Sequence, residues 1–242
     1  MSAPGMRRSD ARTAVVWEAL EKILRDREPV AVLDVGGGTG GFAVRVAELG
    51  HRVTVVDPSP DALAILDRRS QEHSVADRVT GVQGDLATLD RCVEPDSIDV
   101  VLCHGVLEVV DGPAEALTAL TATLRRAGTL SLLVSQRHAA VVARAMAGHF
   151  PQALELLDGD QGGTGGGPHR FTADELNALL TEAGLEQIDL HAVRVFSHLV
   201  PSSLVDLEPG AAAALAELER AVADRPEYLT LATQIHALAV RR

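Results

Sequence analysis

Five short runs rich in Val, Leu and Ile recur through the first half of the chain. They are VAVLDVG (30–36), RVTVVD (52–57), RVTGVQGD (78–85), SIDVVLCHG (97–105) and GTLSLLVS (128–135). Nearly all are too uniformly apolar to keep one face in water, the pattern of strands covered on both sides. Between them, GFAVRVAELG and SPDALAILDRRSQEH repeat apolar side chains at three- and four-residue spacing, with Gly50 placed to stop one helix and Ser59 to cap the next. GPAEALTALTATLRRAG (112–128) behaves likewise. Strand alternating with helix calls for right-handed crossovers and a parallel sheet, so the expected class is α/β, Rossmann-like and doubly wound, with helices on both faces.

After Ser135 the rhythm changes. RHAAVVARAMAGHF (137–150) reads as a helix, and LDGDQGGTGGGPHR (157–170) then carries six glycines in fourteen residues, which predicts a mobile loop over 158–170. A helix over 171–184 and a long strand over 185–199 follow. A further helix over 209–224 precedes a last strand over 228–240.

The chemistry concentrates in VLDVGGGTGG, Val32 to Gly41. Gly36, Gly38 and Gly41 fit G-x-G-x-x-G, and the same stretch fits D-x-G-x-G-x-G through Asp34, Gly36, Gly38 and Gly40. The aspartate separates the two readings. A carboxylate at the mouth of the turn repels a pyrophosphate but attracts an ammonium or sulfonium, so Gly36, Gly37 and Gly38 read as the bare floor under a cationic cofactor. Asp57 closes the next strand, where an acid accepts both ribose hydroxyls. Asp85 closes the third, suited to an adenine amino group. Acids at successive strand ends around one glycine turn match a class I S-adenosylmethionine-dependent methyltransferase, with a nicotinamide enzyme as the competing assignment.

The chain resembles, over most of its length, the bacterial tRNA 5-carboxymethoxyuridine methyltransferases, which methylate the carboxylate of a modified wobble uridine. The stretches that carry this are RTAVVWEAL, LDVGGGTGGFAVRVAELGH, CHGVLEVVDGPAEAL, VRVFSHL and RPEYLTLATQIHA. The resemblance implies a seven-stranded sheet, mostly parallel with an antiparallel C-terminal strand. It implies one domain over 1–242, in which 1–28 is an N-terminal helical segment and 136–171 a substrate-side insertion. It also implies S-adenosylmethionine as cofactor, with Arg12, Gly36, Gly37, Asp57, Leu86 and His104 as its contacts.

A carboxylate acceptor is already ionised at neutral pH, so no general base is required and catalysis is largely alignment with water excluded. The acceptor does need a cation to hold it, and Arg194, Arg144 and Arg170 are the candidates. Were the acceptor a phenol or an amine, His104 or His138 would serve as base.

Composition modifies this reading. The formal net charge is −12 and Lys22 is the single lysine, both adverse to a polyanionic partner. Lysine-rich segments occur in relatives acting on tRNA where this chain has its glycine loop. The partner is thus either tRNA or a small organic acid, and the absence of an evident base leaves room for a cofactor-binding protein without catalysis. Cys92 and Cys103 show no metal-ligand spacing, which suggests reduced thiols and no metal. With no signal peptide or apolar span at its N-terminus, a cytoplasmic location away from membranes is expected. Nothing in the sequence sets the oligomeric state.

Overall fold

A computed structural model describes residues 8–25, 27–157, 168–208 and 210–242; the side chains of residues 8–12, 202, 206 and 207 are also outside the description. Most of the glycine loop expected over 158–170 therefore lies outside the described residues. In chain order the elements are α1 (Arg8–Leu24), β1 (Ala31–Val35), α2 (Ala43–Glu48), β2 (Arg52–Asp57), α3 (Pro60–Glu72), β3 (Val79–Gln83), a 3-10 turn (Leu86–Thr88), α4 (Leu89–Cys92) and β4 (Ile98–His104). They continue with α5 (Pro113–Thr123), β5 (Leu124–Ser135), α6 (Arg137–Met146), α7 (Phe150–Leu157), α8 (Ala173–Glu182) and β6 (Leu185–Val193). Last come α9 (Ser202–Leu207), α10 (Ala211–Ala223), α11 (Pro226–Leu229) and β7 (Gln234–Arg241).

The seven strands form one sheet in the order β3-β2-β1-β4-β5-β7-β6, parallel through the first five and antiparallel toward the C-terminus. β1 lies between β2 and β4, with Asp34 level with Val55 on one side and Leu102 on the other. Here the strand order reverses, and in such sheets the crevice for a ligand opens beyond the C-terminal ends of the two strands at the reversal. Leu33, Val55, Val100, Val101 and Leu102 are all fully buried, as their uninterrupted apolar runs predict. β3 departs from that pattern: as the edge strand it leaves Thr80, Gly81 and Gln83 exposed.

The expected stops and caps are present. Gly50 turns the chain at φ +100°, and the Ser59 hydroxyl accepts the Ala62 N–H at 3.2 Å. Other boundaries moved. The helix expected over 112–128 ends at Thr123, since Leu124 already pairs with Ile98 and a bulge between Ile98 and Val100 lets β5 continue beyond it. The strand expected over 185–199 stops at Val193, because Arg194 takes a left-handed backbone at φ +60°. Residues 228–233 form the end of a helix and a turn rather than a strand, with Pro226 setting the first helical φ. β7 is interior to the sheet, so His236 does not sit at its edge.

The chain packs as two compact units. One comprises Lys22–Val134, Asp174–Asp189 and Ala237–Arg242, and contains most of the sheet. The other comprises Met1–Glu21, Ser135–Ala173 and Leu190–His236. Its small core joins Ala192, Val195, Val222 and Ala232, with Phe196 edge-on to Tyr228 at 5.9 Å. Among the described residues no helix is long and apolar enough to cross a membrane.

Candidate functional site

The turn after β1 selects one of the two glycine spacings. Gly36, Gly38 and Gly40 have positive φ (+69°, +53° and +79°), whereas Gly41 does not. The backbone thus follows D-x-G-x-G-x-G. Gly37 is bare for another reason: a Cβ there would lie 2.4 Å from Asp34 Oδ2, so the aspartate occupies the space under that peptide. A Cβ on Gly38 would meet only ordinary van der Waals contacts, 3.8 Å from Asp57 Oδ2 and 3.9 Å from the Gly36 carbonyl oxygen, so the positive φ is what favours glycine there.

Both acids at this turn are buried, and they are held differently. Asp57 accepts the Gly38 N–H through Oδ2 and the Ser59 N–H through Oδ1, both at 2.9 Å. The carboxylate is therefore fixed in orientation, and each oxygen keeps a second lone pair for a ligand hydroxyl. Asp34 is deeper, and burial, reinforced by the charge of Asp57, raises its pKa to about 7. Asp85 is exposed and caps the 3-10 turn. Its Oδ1 accepts the Thr88 N–H at 3.0 Å and hydroxyl at 2.8 Å, while Thr88 Oγ1 accepts the Asp85 N–H at 3.0 Å. The strand itself has ended at Gln83, and Asp85 has one carboxylate oxygen outside the cap.

A cavity of about 580 Å³ opens beside this turn. Of the expected residues it is lined by Gly36, Asp85 and Leu86; Val56 and Pro58, which flank Asp57, line it too. Val106, Val109 and Val110 supply an apolar wall, and Asp111 and Glu115 add two acids that sequence reasoning did not single out. The signal is present in CHGVLEVVDGPAE, a stretch from which His104 alone is read as a contact. With three carboxylates and, among the described residues, no Lys, Arg or His in its lining, the cavity repels a pyrophosphate and suits a ligand bearing positive charge.

His104 ends β4, with Nε2 2.9 Å from Ser131 Oγ and its ring edge-on to Phe42 at 4.8 Å. Burial lowers its pKa to about 4, so at neutral pH it is uncharged. Arg12 lies on α1, and its side chain is outside the described residues.

The second unit gathers the three candidate arginines. Arg144, Arg170 and Arg194 line one cavity of about 330 Å³ together with Gln136, Thr233 and His198, and among the described residues no Asp or Glu belongs to that lining. α6 brings Arg144, and the segment after the glycine loop brings Arg170. Arg194 is placed by the turn that ends β6. The buried Glu219 of α10 accepts the N–H groups of Val195, Phe196 and Ser197 at 2.8, 3.0 and 2.7 Å, while the Arg194 carbonyl accepts the Thr233 hydroxyl at 3.2 Å. Arg194 and His198 both fall within the strand expected over 185–199, and that expectation is corrected accordingly: a turn, not a strand, presents them.

Residues 32–128 match the methyltransferase domain family. The tRNA 5-carboxymethoxyuridine methyltransferase of Escherichia coli K12 is 27% identical over 237 residues, covering 97% of this chain and 90% of the relative. The ubiquinone biosynthesis O-methyltransferase of Xanthomonas campestris pv. campestris (strain B100) is 37% identical over 119 residues, 48% of each chain. Among solved structures, magnesium protoporphyrin IX methyltransferase from Synechocystis PCC 6803, with bound S-adenosylhomocysteine, shares the fold at a TM-score of 0.63 and 16% identity, covering 97% of this chain and 83% of that one. A methyltransferase domain built around an acid-lined glycine turn, within a chain homologous nearly end to end to the E. coli enzyme, makes the protein an S-adenosylmethionine-dependent methyltransferase.

Proposed function

We propose that the protein transfers the methyl group of S-adenosylmethionine to a carboxylate oxygen, and that its acceptor is the modified wobble uridine of tRNA named for the E. coli relative. The observation that carries the cofactor half is the lining of the larger cavity, which has three acids and, among the described residues, no basic side chain. The cofactor supplies an electrophilic methyl group on a positively charged sulfur. Asp57, already oriented by two backbone N–H groups, takes the ribose hydroxyls through its remaining lone pairs. Asp85, with its uncapped oxygen, and the Leu86 side chain take the adenine. Asp34 is the counter-charge beneath the glycine floor of Gly36, Gly37 and Gly38, while neutral His104 and Arg12 complete the contacts.

On the acceptor side, Arg144, Arg170 and Arg194 hold the carboxylate. Because that group attacks as the anion, the chain's own contribution is orientation and exclusion of water, and the weakly basic His104 is consistent with a reaction that draws on no base. This reading takes residues 1–242 as one methyltransferase domain, with 136–171 as its substrate-side insertion. It places the reaction in the cytosol, where thiols such as Cys103 stay reduced; burial, then Glu108 and Asp34, push that thiol up to about 12.

Two measurements test the proposal. Calorimetry is expected to show S-adenosylmethionine binding and NADH not; tighter NADH binding reverses the cofactor assignment. Mass spectrometry of tRNA nucleosides from a deletion strain is expected to show the wobble methyl ester gone, and unchanged wobble uridines eliminate tRNA as the acceptor.

A further inference from the structure

The arginine cavity of the second unit is continuous with an apolar one. α6 sets Ala139, Val142, Ala143 and Met146 at i, i+3, i+4 and i+7, along one helix face. That face, with Leu199 and Leu231, lines a second cavity of about 350 Å³. The two cavities share Ala139, Ala143, His198 and Thr233, and the neighbouring helix row, Ala140 and Arg144, belongs to the arginine side. One helix therefore divides the site into a hydrocarbon half and a cationic half. Val142, Met146, Leu199 and Leu231 are all exposed, Met146 at 74%. Four large apolar side chains exposed beside three arginines form a surface shaped for an amphipathic anion.

We infer that this two-part cavity binds small carboxylic acids with a hydrocarbon body, the head on Arg144, Arg170 and Arg194 and the body against α6. The inference rests on the reading that these arginines hold a carboxylate. It extends the site's ligands beyond a nucleotide. Among the described residues the apolar half has Thr233 and His198 as its only polar lining residues, and polar edges left unpaired against its Val, Met and Leu side chains are costly. A hydrocarbon has no such edges.

The test is calorimetry on the full chain, without cofactor, using butanoate, hexanoate and octanoate, and octanamide as the uncharged control. Affinity is expected to rise about three- to fourfold per added methylene, the usual gain for burying that group, and octanamide is expected to bind at least tenfold more weakly than octanoate. The double variant Met146→Gln/Leu231→Gln, at two exposed positions, is expected to flatten the length dependence. Arg144→Gln is expected to weaken every acid by a similar factor. Affinity independent of chain length, equal binding of the amide, or an undiminished length dependence in the double variant overturns the inference. Methyl-ester formation is read separately with a labelled methyl donor. Length-dependent binding without ester supports the cavity assignment while counting against carboxylate methylation, and ester formed on tRNA without any acid binding does the reverse.

Discussion

Asp57 is the residue on which cofactor binding should depend most directly. Asp57→Asn removes one acceptor from a pair that already serves Gly38 and Ser59, so it loosens the turn as well as the ribose contact. At about 1.5–3 kcal/mol per hydrogen bond to a charged group, cofactor affinity should fall roughly 10- to 200-fold in calorimetry, with the circular dichroism unchanged. Asp34, with its pKa near 7, makes a different prediction. A cationic ligand favours the ionised form, so binding at pH 6 should release a proton. This would appear as a dependence of the binding enthalpy on buffer ionisation that disappears above pH 8 and in Asp34→Asn.

The same shifts set the pH dependence of stability, with opposite signs. Asp34 binds its proton more tightly folded than unfolded, so its contribution is full below pH 4 and is lost as pH rises through about 7. His104 is held neutral, lowered to about 4, so its contribution is full above pH 6.5 and is lost as pH falls toward 4. His51 acts in the same direction as His104. It is buried, and its Nδ1 accepts the Val30 N–H, which leaves Nε2 to donate to the Leu24 carbonyl at 3.1 Å. Over about pH 4 to 7 these slopes oppose one another, so melting temperature should rise more steeply with pH in Asp34→Asn and shift toward falling with pH in His104→Asn.

At the scale of elements, the glycine turn and the end of β6 are the two places where the chain's path makes the site. Gly37→Ala tests the first. Its φ is unremarkable, so the cost arises from a Cβ driven against Asp34 Oδ2, and cofactor affinity should fall at least tenfold without loss of fold. Glu219→Ala tests the second. It strips the acceptor from three N–H groups after Arg194, and should destabilise the protein by about 2–4 kcal/mol. At about 2–4 °C per kcal/mol for a chain of this size, that is a visible drop in melting temperature. These elements also show what local pattern conveys. β1, β2 and β4 were legible because burial on both faces leaves only apolar residues available to them. The ends of β6 and β7 are not legible because alternation continues through VRVFSHL and YLTLAT: the left-handed Arg194 and the distant Glu219 carboxylate end β6, and a helix begun by Pro226 occupies the start of the strand expected for β7.

Across the whole molecule, charge is unevenly distributed. A chain of net charge −12 gathers three arginines around one cavity and three acids around another. With a formal net charge of −12 opposing a polyanion, few tRNA phosphates can be neutralised at once. Binding to tRNA should show a shallow salt dependence, a log–log slope of about −3 or flatter. A slope near −8 would show that a basic face exists which the net charge conceals.

The order of residues was by itself enough to establish a parallel α/β sheet, a cofactor turn after its first strand, and acids at the tips of the next two, because strand burial and the turn's conformation are local demands that each leave a local signature. The identity of the glycine spacing, the depth of Asp34, the acids at Asp111 and Glu115, and the assembly of Arg144, Arg170 and Arg194 with an apolar helix face were decided only in three dimensions. Solvent exclusion and charge proximity depend on which distant segments come together, and no local spacing in the chain encodes that.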